Sequence, residues 1–176
     1  MAGLAAVMCG VLRLGVELAA NGVLPDASGT GFAHLYPVID ALIVLAVVGV
    51  YVQTRTRTGA AGVIGLLMVL AGVIVLRTRA FSEMLGDPYA LGAALVAGGM
   101  ALTGAMLVAR KAMPTWIGAL WMATFGLALL SLIFPEQARL LRLLAATCFA
   151  AGMIGAGGAL LASANTRPIN RTRKAR

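Results

Sequence analysis

Charge is scarce in this chain. Only 11% of its 176 residues are charged, against about 25% in soluble domains. Six of them are acidic. Hydrophobic residues make up 61%, where a soluble domain carries roughly 45–50%. So short a chain cannot bury that much apolar surface in one aqueous core, which excludes an ordinary soluble domain and makes the bilayer the natural solvent. His34 is the only histidine, so bis-histidine haem and histidine–zinc sites are excluded. Cys9 and Cys148 are the only cysteines. Both lie in apolar runs without a ligand neighbour, so they read as small buried hydrophobes rather than a disulfide or a metal pair. The expectation is no cofactor and no metal. There is no Walker loop, no G-x-S-x-G and no H-E-x-x-H, and Gly29-Thr30-Gly31 lacks the strand and helix a dinucleotide site needs. The net charge of +8 comes without an aromatic-interleaved basic patch, so nucleic acid is not the expected partner. MAGLAAVMCG has neither a positive n-region nor an A-x-A site, and reads as a retained first span.

What the chain does contain is long apolar runs. Spans are expected over Gly3 to about Leu24, Tyr36–Gln53, Gly59–Leu76, Tyr89–Ala109, Thr115–Phe134 and Arg139 to about Ser163. Each is near the 20 or so residues that cross ~30 Å of hydrocarbon as a helix. None alternates like a barrel strand. The expected fold is therefore all-α: a polytopic membrane helical bundle of six transmembrane helices, arranged as three antiparallel hairpins over residues 1–163, with a basic cytoplasmic tail over 164–176. Pro37, Pro88 and Pro114 fall at span starts, where a missing N–H costs least. No proline interrupts a span, which counts against the broken helices of secondary transporters.

Basic residues set the expected orientation. Arg55, Arg57, Arg110, Lys111 and the tail residues Arg167, Arg171, Arg173, Lys174 and Arg176 fall on one side; Arg77, Arg79, Arg139 and Arg142 fall on the other. Nine against four places both termini in the cytoplasm of a bacterial-type inner membrane. The acceptor-like triplet Asn170-Arg171-Thr172 would then lie inside and is ignored. Small residues recur every fourth position: Ala93, Ala97, Ala101, Ala105 and Ala109; Ala151, Gly155, Ala159 and Ser163; Ala2, Ala6 and Gly10. Such ridges let helix backbones approach within the chain, or in a homo-oligomer or larger membrane complex.

The charges inside the first span carry most of the functional information. Arg13, Glu17 and Asn21 are spaced by four, so they share one helix face. They form a polar stripe from mid-span toward the outer end. Asp40 lies about one turn inside the second span, so Glu17 and Asp40 are expected at similar depth, flanking Arg13 with two carboxylates. An ion at the bilayer centre costs roughly 2.5–3.5 kcal/mol on insertion scales. The bland alternative is an Arg13–Glu17 pair that neutralises itself, although arginine before glutamate is the less favourable order. Two carboxylates on one arginine would leave a surplus negative charge, the raw material for proton transfer or cation binding. Arg139 and Arg142 share a face at the outer start of the last span and would line a mouth there or snorkel to headgroups. Thr103, Thr124, Ser131 and Thr147 are expected to return hydrogen bonds to their own helices.

The leading functional expectation is an outward-facing polar pocket of Arg13, Glu17, Asn21, Asp40, Arg139 and Arg142 that binds or moves a small solute or amphiphile, with the lipid bilayer as its surroundings. The alternatives are a membrane enzyme using carboxylate acid/base chemistry on a lipophilic substrate, and a non-catalytic subunit of a membrane complex.

Overall fold

The computed structural model describes residues 1–21, 34–78 and 88–165. The expected cytoplasmic tail, Arg79, Glu83, Asp87 and Gly29-Thr30-Gly31 lie outside the described residues. The described chain is helical: α1 Ala2–Ala20, α2 Leu35–Arg77, α3 Pro88–Ala109, α4 Thr115–Ile133, a short 3-10 turn Pro135–Gln137, and α5 Ala138–Asn165. Among the described residues, five helices are long and apolar enough to cross a membrane. Large apolar side chains such as Leu45, Val52, Leu67, Ile74 and Leu132 are more than half exposed. In water such faces would be an aggregation hazard; against acyl chains they are solvated.

α2 differs from the expected pair of separate spans. Helix continues through the TRTRT stretch, where a loop was expected, and breaks only at Gly59 (φ 57°, ψ −144°). That conformation is open to glycine and strained for any residue with a Cβ. A straight helix of this length would reach about 64 Å at 1.5 Å per residue. Instead Asp40 and Arg77, far apart in sequence, share an ion pair, and the ring of Tyr51 lies beside Gly62. The arms 35–58 and 60–77 therefore lie side by side. Thr54 and Thr58, one turn apart before the break, donate their hydroxyls to the carbonyls of Val50 (2.8 Å) and Thr54 (3.2 Å). Threonine so satisfies its polar group inside an apolar helix. Thr103, Thr124 and Thr147 do the same with Gly99, Leu120 and Leu143, and Ser131 with Ala128.

The helices pack in sequence order: α1 against α2, α2 against α3, α3 against α4 and α4 against α5. α5 then returns to α1 and closes the bundle. Two of these interfaces follow one plan. Gly3 and Gly10 of α1 press on Gly157 and Ala150 of α5; Gly65 and Gly72 of α2 press on Gly99 and Gly92 of α3. In each, small residues seven apart oppose small residues seven apart in the reverse direction, so contact recurs every two turns of antiparallel helices. Backbone meets backbone at these points: a Cβ on Gly99 would lie 2.6 Å from the Gly65 carbonyl oxygen, and one on Gly10 would lie 2.7 Å from that of Ala150. Gly104 and Gly118 make the equivalent contact between α3 and α4. The alanine ridge of α3 does not form this seam; Ala93, Ala97, Ala101 and Ala105 flank it half-buried, while Gly92, Gly99, Met100, Thr103 and Leu107 are buried. The bulkiest fully buried side chain is Trp121, whose ring occupies the space over Gly152.

Candidate functional site: the polar end of the bundle

The described charged residues divide between the two ends of the bundle. At one end Arg57 donates to the Lys111 carbonyl (3.1 Å) and Ser163 to the Gln53 amide oxygen (3.1 Å). The α2 break, the α3–α4 turn and the C-terminus of α5 therefore meet there. At the other end lie all six residues singled out in the sequence. The structure joins five of them into two groups and leaves Arg142 by itself.

The first group is built on α1. Arg13 and Glu17 pair at 2.5 Å, one turn apart on the helix, with side chains about a quarter and a fifth exposed. The Arg13 guanidinium lies 6.0 Å from the Tyr36 ring centroid on α2, within cation–π range. Asn21 caps α1, and its side-chain amide donates back to the Glu17 carbonyl at 2.8 Å. From α5, Arg139 reaches across to Asn21. Its Nε donates to the Asn21 side-chain oxygen at 3.3 Å, and an Nη donates to the Asn21 backbone carbonyl. A guanidinium at a helix C-terminus meets the negative end of the dipole. This clasp therefore ties the end of α1 to the start of α5. Replacing Arg139 with Gln is expected to cost about 1 kcal/mol for a partly exposed charged hydrogen bond. Hydrogen–deuterium exchange would show it as faster exchange confined to residues 18–21. An unchanged rate there would mean that the clasp contributes nothing to order.

The second group is Asp40 with Arg77. Asp40 is 9% exposed. Its Oδ2 receives the Arg77 Nε at 2.6 Å and a second contact from an Nη. The expectation that Asp40 and Glu17 would flank Arg13 is corrected here, for two reasons. The register of α1 on α2 puts the Cys9 thiol 3.9 Å from the Ile39 carbonyl and Arg13 over Tyr36. Asp40 is thus level with about residue 9, and Glu17 lies about 12 Å further along at 1.5 Å per residue. In addition, the second arm of α2 brings Arg77, so each carboxylate has an arginine of its own. The surplus negative charge expected from two carboxylates on one arginine does not arise.

Reasoning from sequence missed Arg77, which was read only as an outer-side topology residue. A partial signal was present: Asp40 and Arg77 lie almost equally far from Gly59, on its two sides, so a fold-back there brings them to the same depth. Arg142 is exposed on α5, one turn beyond Arg139, and has no ion pair with any described residue. A cavity of about 150 Å³ lies at the α4–α5 bend, lined by Ile133, Phe134, Pro135, Glu136 and Gln137. None of the six sequence-derived residues lines it, although Arg139 follows it by two positions. Among the described residues no cluster of three metal-ligating side chains occurs. Comparison with protein-family models, with curated proteins and with solved structures returned no match.

Proposed function

We propose that this is a six-span inner-membrane protein of three antiparallel hairpins, with both termini cytoplasmic, whose outer end holds the anionic head of a small amphiphile. The observation that carries the reading is the pair Arg139 and Arg142 on one face of α5. Arg139 is fixed in place by Asn21, and Arg142, exposed beside it, is not committed to a described carboxylate. Arginine recognises carboxylate and phosphate through its planar fork of donors. The adjoining cavity of about 150 Å³ is smaller than the ~300 Å³ at which small-molecule pockets begin. That favours a ligand whose apolar part stays in the bilayer over a solute enclosed by protein.

The enzyme alternative loses ground on the same geometry. Glu17 and Asp40 each contact an arginine directly, so neither presents a free carboxylate to a substrate. Their role in this reading is to seat the arginines and the ends of α1 and α2.

Binding of a single-chain anionic amphiphile, such as an alkyl phosphate, to the detergent-purified protein tests the proposal. Arg142→Gln is expected to weaken it by roughly tenfold, the value of one charge-assisted hydrogen bond, while the melting temperature stays unchanged. Equal binding by Arg142→Gln and wild type, or equal binding of an alkyl trimethylammonium, would overturn it.

A further inference from the structure

The opposite end of the bundle carries a second cationic surface, separate from the Arg139–Arg142 face. Arg55, Arg57, Arg110 and Lys111 are all exposed there. The described carboxylates, Glu17, Asp40 and Glu136, belong to the other end, so these four cations face no described acid. They come from two bends made into one piece by the Arg57 bond to the Lys111 carbonyl.

The backbone at Lys111 is unusual. α3 ends in a double hydrogen bond, from the Ala112 N–H to the Leu107 carbonyl (3.1 Å) and from the Lys111 N–H to the Val108 carbonyl (3.2 Å). This closure puts Lys111 at φ 45°, the left-handed position that helices usually fill with glycine. A Cβ there is conformationally unfavourable. Lys111 donates no ion pair to a described residue that would offset the strain. A side chain held against its backbone preference, and unused within the fold, points to a use outside it.

The surroundings indicate what that use is. Trp116, half-exposed at the start of α4, follows the turn by five positions, and exposed tryptophan marks the headgroup level of a bilayer. Val52, also exposed, precedes the α2 bend. A cationic surface beside such residues meets lipid headgroups before any soluble partner. After α5, which ends beside Gln53, the sequence adds five more cations, Arg167, Arg171, Arg173, Lys174 and Arg176.

We propose that the α2 bend and the α3–α4 turn form one rigid platform for the phosphate headgroups of anionic bilayer lipids, with Lys111 and Arg110 as direct contacts and Arg57 as the residue that fixes their position. Basic residues at a membrane surface each strengthen attachment to anionic lipid by roughly fivefold.

The test is native mass spectrometry of the full chain released from nanodiscs of phosphatidylcholine mixed with phosphatidylglycerol. Wild type is expected to retain phosphatidylglycerol preferentially. Lys111→Gly should reduce that preference by roughly fivefold while leaving the melting temperature equal or higher, since glycine relieves the left-handed strain. Arg55→Gln with Arg110→Gln should reduce it further, because two cations are lost while the Arg57–Lys111 bond that holds the platform remains intact. Inorganic phosphate added to phosphatidylcholine nanodiscs should not raise the melting temperature as phosphatidylglycerol does. Retention of the preference by Lys111→Gly overturns the proposal if that variant melts at or above the wild-type temperature. If it melts lower, the double variant decides, and retention there overturns the proposal. Equal stabilisation by free phosphate overturns the lipid assignment.

Discussion

Gly99→Leu is expected to disrupt the bundle, while the same substitution at its neighbour Gly98 is tolerated. The two glycines adjoin in sequence and sit in the same helix, so helix propensity treats them alike. Their surroundings differ. A Cβ on Gly99 would lie 2.6 Å from the Gly65 carbonyl oxygen and 2.9 Å from both the Met68 Cβ and the Val69 nitrogen. Backbone atoms of a packed helix cannot step aside, so α2 and α3 would have to separate along the whole seam. A Cβ on Gly98 meets only the Met68 methyl at 3.3 Å and Phe125 at 3.8 Å, the ends of side chains that can move. Overpacking typically costs about 1–3 kcal/mol, and a leucine against backbone lies at or above the top of that range. Gly98→Ala, by contrast, should be neutral or stabilising by up to about 1 kcal/mol through helix propensity. Unfolding by SDS titration from mixed micelles reads both. Equal midpoints for the Gly98 and Gly99 variants would refute the glycine seam, and with it the register of α2 on α3.

The second large effect is expected at Arg77. Arg77→Leu removes the partner of a carboxylate that is 9% exposed. Stranding one member of a fully buried pair costs about 3–5 kcal/mol. The Arg77 side chain is 41% exposed, so part of its charge is already solvated, and the expected loss is nearer 2 kcal/mol by the same argument. Asp40→Asn alone should cost less, because an exposed guanidinium can turn toward headgroups or water. The double variant Asp40→Asn/Arg77→Leu should be more stable than Arg77→Leu by itself, since no buried charge is stranded. A double-mutant cycle in the same titration gives the coupling directly. Strict additivity would show that the two side chains do not meet in the membrane. The cycle also bears on the fold-back at Gly59, because a straight α2 would hold the two residues some 55 Å apart at 1.5 Å per residue.

Much of the architecture was legible because it depends on local properties. A run of about 20 apolar residues identifies itself without reference to its neighbours, and the prolines at 37, 88 and 114 lie at or beside the starts of α2, α3 and α4. The Arg13–Glu17 pair was legible too, since residues four apart on a helix meet whatever surrounds them. The break between the two arms of α2 was harder to place. TRTRT looks like a loop by polarity, yet threonine can return its hydroxyl to the preceding turn and remain helical. The chain turns instead at the next residue able to adopt positive φ, Gly59.

The candidate site was less legible, and the reason is register. Whether Asp40 faces Glu17 or Arg77 depends on how far α1 and the second arm of α2 slide against the first arm. That sliding is set by contacts summed over whole interfaces, such as Ala2 on Gly49 and Tyr51 on Gly62. The alanine ridge of α3 misled for a related reason. A repeat of four residues drifts around a helix of 3.6 residues per turn, whereas a repeat of seven stays nearly on one face; in α3 the close contacts to α2 fell to Gly92 and Gly99, spaced by seven, whereas the α1 ridge does carry contacts, with Ala2 on Gly49 and Gly10 on Ala150. The sequence by itself determined the helices, their suitability for a membrane and the charge pairs within a single helix, because each of these is decided within a few turns of chain. Only the tertiary structure decided which arginine each carboxylate receives and which small residues carry the seams, because those choices belong to pairs of helices in a particular register.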